Sequence, residues 1–211
     1  MTMDGRPNLS RDLIAETALQ LTDDVGLAGL SMRKLGAELG VEAMSLYHYV
    51  DNKDDLLDAV LDRLYCEIDL PFHVADDQWE KAIREGLTAF NDVLLRHPAA
   101  VEIFTSRPAI SPTALRVLHW AYQRFEAMGM TPAQSSVAFR FAVSFVMGHA
   151  ANELGMSAVI HGEDGIEVSG VSDPEHRQFL LEHGKLTGEE LFEAGLDLVI
   201  AGLRATYDRL L

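Results

Sequence analysis

Apolar residues recur every three or four positions along almost the whole chain, and no stretch alternates as a half-buried strand would. That pattern restricts the protein to a helical fold. Ser10 is suited to cap a first helix whose face carries Leu13, Ile14, Ala18, Leu21 and Val25, with the Thr17 methyl beside them. Leu9 and Ile14 have the spacing of a hydrophobic staple, and Gly26 stops the helix. Ser31 opens a second, short helix with Met32, Leu35 and Leu39 inward, ended by Gly40. A third runs from about Glu42 to Val50, with Leu46 and Val50 inside. Asp51-Asn52 closes it and caps a fourth, from Lys53 or Asp54 to about Asp69, beyond which Pro71 blocks extension. Further helices are predicted over roughly 76–96, 99–106, 112–128, 132–160 and 187–210, punctuated by His97-Pro98, Arg107-Pro108, Pro112, Gly129 and Pro132. Residues 1–9 read as a mobile tail, and 161–184 as a loop with a helical turn or two between Pro174 and His183.

Composition narrows the function. The 211 residues are 48% apolar and 24% charged, enough for a real core. No run approaches the roughly 20 apolar residues of a membrane span, and the first residues lack the apolar stretch of a signal peptide. The one cysteine, Cys66, fits a reducing compartment and excludes an internal disulfide framework or a CxxC metal site. A cytoplasmic protein is expected. The charge is the difficulty: 17 Lys and Arg against 33 Asp and Glu give −16, and binding to phosphate needs a basic face. Net charge is only a sum, and a local patch can oppose it.

The informative segment is SMRKLGAELGVEAMSLYHYV, residues 31–50. Two short helices around a tight glycine turn are the layout of a helix-turn-helix, whose second helix enters the major groove. Leu35, Leu39, Val41, Leu46 and Val50 would pack inward, leaving Ala43, Met44, Ser45, Tyr47, His48 and Tyr49 on or near the other side. The hydroxyls and imidazole can bond phosphates or base edges, and Ala43 and Met44 can touch thymine methyls. Arg33, Lys34 and Lys53 stand around them. On spacing alone, a plain helical hairpin with solvated polar residues fits equally well, and the aromatic cluster fits a core.

Residues 10–65 closely resemble the DNA-binding domain of TetR-type bacterial repressors, through LSMRKLGAELGVEAMSLYHYVDNKDDLLDAV. The remainder is similar to the tetracycline-repressor type of C-terminal domain, with WEKAIREGLTAF, LLRHP, TSRP, FVMGHAANE and FEAGLDLVIAGL in order. The resemblance implies an all-α protein with four parts: a tail (1–9), a helix-turn-helix DNA-binding domain (10–52), a connecting helix (53–70), and a regulatory and dimerisation domain (71–211). It implies a homodimeric repressor of a near-palindromic operator, released by a small-molecule effector. The DNA-facing set would be Arg33, Lys34, Ala43, Met44, Ser45, Tyr47, His48, Tyr49 and Lys53, with Arg33 and 43–45 at bases and Tyr47 and Lys53 at phosphates.

The resemblance also places dimerisation on the last helices of the body. Ala142, Gly148 and Ala151 in one segment, and Gly195, Leu198, Val199 and Gly202 in another, are the interface candidates. Phe90, Phe104, Arg107, Leu118, Phe139, Val143 and Met147 are the candidate pocket lining. A buried Arg107 needs a partner: a ligand carboxylate, an internal acid such as Glu153, or a helix C-terminus. Tetracycline repressors hold a magnesium–drug chelate through a histidine where this chain has Ile103 and a glutamate near Asn152, and grip the drug with an asparagine where it has Gly86. Isoleucine cannot ligate a metal, so a different, largely hydrophobic effector is expected. His73, His97, His119, His149, His161, His176 and His183 form no HxxxH pair, so neither a metal site nor a cofactor is expected. His97, before Pro98, reads as a helix-end cap, and Cys66 as a small packed hydrophobe.

No nucleophile elbow, phosphate loop or dinucleotide fingerprint argues for an enzyme. The acidity keeps one alternative open, a helical adaptor whose head does not bind DNA. Residues 1–65 hold six Lys or Arg and twelve Asp or Glu, so the head itself is acidic. DNA binding would rest on placement, with Arg33, Lys34 and Lys53 beside the recognition helix and Asp54, Asp55, Asp58 and Asp62 trailing along helix four. Leu64, Tyr65 and Ile68 at the far end of that helix would carry a signal from the body.

Overall fold

The computed structural model describes residues 9–75, 77–156, 172–183 and 186–207. Among them are ten α-helices and no strand. Residues 1–8 of the expected tail and half of the expected 161–184 loop lie outside the described residues.

Helix α1 (Arg11–Val25) begins where the Ser10 hydroxyl accepts from the Leu13 N–H at 3.1 Å. Its buried face is Ile14, Ala15, Ala18, Leu19 and Thr22; Leu13 and Leu21 are half-buried and Val25 is exposed. The inner face is thus rotated from the one predicted. Helices approach closest over small side chains, and α1 packs chiefly on α4 (Lys53–Cys66), with Ala15 and Ala18 on its buried side. Helix α2 (Met32–Glu38) starts with the Ser31 hydroxyl accepting from the Lys34 N–H, and the chain turns at Gly40, φ 66°, where a side chain would be strained. Helix α3 is shorter than predicted, Ala43–Leu46; residues 47–49 continue as a turn closed by Tyr49 N–H to Leu46 C=O at 2.9 Å. The Asn52 side chain caps α4 by accepting from the Asp55 N–H, and that helix ends at Cys66, three residues before the predicted Asp69.

Helices α5 (Trp79–Arg96), α6 (Ala100–Ser106), α7 (Pro112–Ala127), α8 (Pro132–Met156) and α10 (Gly188–Tyr207) follow close to the predicted spans. Between the last two, α9 (Pro174–His183) is a ten-residue helix, longer than the turn or two expected.

The chain divides into two compact units. One holds the chain up to Leu70 together with Asp92–Trp120, the other Pro71–Asn91 together with Ala121 onward. Helix α6 packs on α4, so the segment around it groups with the first unit. The core of the second unit gathers Ile83 from α5, Phe125 from α7 and Met128 just past it, Ala142 from α8, and Val199, Ile200 and Leu203 from α10. No helix among the described residues is long and apolar enough to cross a membrane.

Candidate nucleic-acid interface and regulatory body

The approach of α2 to α3 is set by Gly36, which is buried on α2. A Cβ there would stand 2.9 Å from the Val41 carbonyl oxygen and 3.1 Å from the Ala43 nitrogen. Only a residue without a side chain lets the turn close this tightly, and the Gly36 carbonyl accepts from the Val41 N–H at 2.8 Å. With Leu35, Leu39, Leu46 and Val50 buried beneath, the outer side presents Met44 (71% exposed), Tyr47, His48 and Tyr49 to solvent, while Ala43 and Ser45 are half-buried. The aromatic cluster is therefore surface, not core. Arg33 and Lys34 are exposed on the first turn of α2. The Lys34 ammonium lies over Gly29, and the Lys53 Nζ donates to the Leu30 carbonyl at 2.9 Å. Two cations from different helices are thus brought to the segment just before Ser31.

The acids of α4 have partners of their own. Arg107, only 14% exposed, donates from Nε to Asp58 Oδ1 at 2.5 Å and from Nη1 to Asp54 Oδ1 at 3.2 Å. Ser111 Oγ donates to Asp62 Oδ1. Glu67, just past the helix, accepts from Arg96 Nη1 at 2.6 Å and meets His97 Nε2 at 2.9 Å. The other His97 nitrogen faces Asp23 Oδ2 at 2.7 Å, so this ring bridges α1 and the end of α4; it does not cap a helix. Burial pushes the Asp23 carboxyl up against the pull of His97, whereas at Glu67 burial is outweighed by the bonds from His97 and Arg96 and the carboxyl falls. At the start of α4, Arg11 grips Asp55 through both guanidinium nitrogens, at 2.5 and 2.9 Å. Cys66 is exposed, not packed.

Arg107 was expected to seek a ligand, Glu153 or a helix end; its partners are Asp54 and Asp58. The Glu153 carboxylate instead lies against the Gly188 backbone at the start of α10. The other pocket candidates are distributed over the two units. Phe104 makes an edge-on contact with Tyr65 at 5.0 Å, and burial pushes the Tyr65 hydroxyl up to about 12. Leu118 is half-buried on α7. In the second unit, Phe139 packs on Tyr122 at 4.9 Å and against the core, while Phe90, Val143 and Met147 are half-buried. None of the seven lines the 480 Å³ groove of α8 and α10 or the 910 Å³ charged groove between α5 and α10. His149 rests on the Phe192 ring at 5.0 Å, and burial lowers its pKa below the ordinary imidazole value, against the pull of Glu153. Ile103 is fully buried on α6.

The interface candidates separate by depth. Ala142 (1% exposed) and Val199 (3%) belong to the core of the second unit, and Gly195, half-buried, accommodates the Phe145 ring. Gly148, Ala151, Leu198 and Gly202 are exposed. They share α8 and α10 with Val137 (71% exposed) and Phe141 (62%), which line the 480 Å³ groove with Met130, Ala138 and Thr206.

Residues 14–60 match the bacterial regulatory proteins of the tetR family, and residues 70–207 match the tetracyclin repressor-like C-terminal domain. The chain belongs to the TetR family. The HTH-type transcriptional repressor DrrR1 of Streptomyces coeruleorubidus is 35% identical over 153 residues, which cover 71% of this chain and 55% of DrrR1. The chain thus spans little more than half of that relative. The tetracycline repressor protein class C of Escherichia coli is 31% identical over 204 residues, 92% of this chain and 90% of the repressor. Among solved structures, ActR of Streptomyces coelicolor in complex with (S)-DNPA superposes with a TM-score of 0.76 at 27% identity, covering 95% of this chain and 99% of ActR. BioQ with its natural double-stranded DNA operator gives 0.64 at 26% identity, covering 94% and 99%. The all-α architecture with an N-terminal helix-turn-helix is that of the TetR family.

Four residues important to this TetR-family head and body escaped the sequence reading. Gly36 left a local signal, a glycine inside a helical pattern. Val137 and Phe141 left a weaker one, apolar residues on the side of α8 opposite its buried face. Arg11 left none, because its partner lies 44 positions away.

Proposed function

We propose that this chain is a ligand-responsive transcriptional repressor, a homodimer that holds a near-palindromic operator and releases it when a small, largely hydrophobic molecule occupies the C-terminal body. The observation that carries the reading is the exposed row Met44, Tyr47, His48 and Tyr49, in a head whose Lys34 and Lys53 ammonium groups lie at Gly29 and Leu30. Large side chains are costly to leave in water without a use, and their chemistry suits a groove. Arg33 is the bidentate base reader, Tyr47 and Lys53 hold phosphates, and Ala43, Met44 and Ser45 supply methyl and hydroxyl contacts. Dimerisation uses the outer faces of α8 and α10, through Gly148, Ala151, Leu198 and Gly202 with Val137 and Phe141. The ActR complex with (S)-DNPA and the operator complex of BioQ support the two halves of the reading. Tetracycline–magnesium is not the proposed effector, since buried Ile103 offers no metal ligand.

The test is the salt dependence of binding to a duplex selected by the wild-type chain from a random-sequence pool. Lys53→Ala should weaken binding to every sequence and lower the magnitude of the salt slope by about 1, whereas Arg33→Ala should change which bases are preferred. An unchanged slope for Lys53→Ala contradicts the phosphate role, and a wild type that selects no sequence at low salt returns the head to the adaptor reading.

A further inference from the structure

Arg11 is the first residue of α1, where a cation opposes the helix dipole, so it is not there for the sake of its own helix. Nη1 donates to the Tyr49 carbonyl at 3.0 Å and to Asp55 Oδ2 at 2.9 Å, and Nη2 donates to Asp55 Oδ1 at 2.5 Å and to the Asp55 carbonyl at 3.3 Å. Asp55 in turn accepts from the Asp51 N–H at 2.9 Å. The network holds the stretch that follows the four-residue α3. Residues 47–49 have no regular helix to fix them; the backbone bonds across the stretch run from His48 to Ser45, from Tyr49 to Leu46 and from Val50 to Leu46 at 3.1 Å.

We infer that Arg11 is a positioning residue for DNA recognition: its guanidinium fixes the Tyr47–Tyr49 turn against α4 without itself touching DNA. The inference rests on the proposed DNA-binding role of that turn. A planar fork matched to a carboxylate is needed, which lysine cannot supply. Asp55 takes part through Arg11, and this gives the test an unusual sign. Removing an acid beside a DNA-binding face should strengthen binding if charge alone mattered, whereas removing the anchor of Arg11 should weaken it.

The experiment compares Arg11→Ala, Arg11→Lys and Asp55→Ala with wild type on the selected duplex, across a salt series, with amide hydrogen exchange of the free proteins alongside. All three variants should lose about tenfold in affinity, an energy of the size of one charge-assisted network, with the salt slope unchanged. Exchange should quicken at the amides of His48, Tyr49 and Asp51 while the Ile14–Leu19 amides stay protected, showing that the head remains folded. A salt slope reduced by about 1 in Arg11→Ala but not in Arg11→Lys would make Arg11 a phosphate ligand and overturn the inference. Tighter binding by Asp55→Ala would also overturn it, as would full affinity in Arg11→Lys. If the wild type selects no duplex, the proposed function fails, and the exchange data alone decide whether Arg11 fixes the turn; unchanged exchange at those three amides refutes it.

Discussion

Asp55 sets a pH limit on the head. The bonds from the Arg11 guanidinium, with burial working against them and the Asp51 N–H adding to them, hold its carboxyl down from 3.8 to about 2. A carboxylate whose pKa falls on folding stabilises the folded state above its ordinary pKa, and that contribution is lost as pH drops toward the folded value. Between about pH 4 and pH 2 the wild-type head should therefore lose on the order of 1–2 kcal/mol that Asp55→Asn never had, allowing for solvent around a partly exposed pair. Urea titrations at pH 7 and pH 2.5 measure it, and a difference between the two proteins that does not shrink on acidification would contradict the assignment. Such pairs are where sequence reasoning stops. The exposed side of residues 43–49 was legible, because a helical period separates it from Leu46 and Val50. The partners of Arg107 and His97 were not, because no spacing rule links positions 49 or 74 apart.

The most demanding contact at the element scale is α2 on α3. Gly36→Ala drives a methyl into the Val41 carbonyl and the Ala43 nitrogen, which are backbone atoms and cannot rotate away. The helices must separate, at a cost of about 1–3 kcal/mol, and the recognition turn shifts with them. The variant should melt earlier and bind the selected duplex more weakly, whereas Gly155→Ala, with open space around its Cβ position, should melt no earlier than wild type. Circular dichroism melts check both, and a Gly36→Ala protein as stable as wild type would mean that the turn has more room than the geometry shows. Helix starts were readable at this scale because caps are local: Ser10, Ser31 and Asn52 each accept from an amide three residues on. The inner face of α1 was not, since its neighbours choose it. The length of α3 was not either, because buried Leu46 and Val50 keep a helical spacing while the backbone of residues 47–49 between them is already a turn.

For the whole molecule, the charge of −16 is reconciled with DNA binding by pairing as well as placement. Asp54, Asp55, Asp58, Asp62 and Glu67 are bound to Arg11, Arg107, Ser111, Arg96 and His97, while Arg33 and Lys34 are exposed on α2 and Lys53 meets the Leu30 carbonyl just before it. With so few cations per subunit, affinity must come from two heads on one duplex. Leu198→Glu, at a side chain 77% exposed, should leave the subunit folded, convert the dimer to a monomer in sedimentation, and lower affinity for the selected duplex by more than tenfold; a variant that stays dimeric would remove α10 from the interface. The most direct test of the account is the selection itself. Wild-type protein incubated with a random-sequence duplex pool should enrich an inverted repeat whose half-sites stand one helical turn, roughly 34 Å, apart or a multiple of it. Recovery of no common sequence, or of an unpaired single half-site, would contradict a dimeric, sequence-reading repressor.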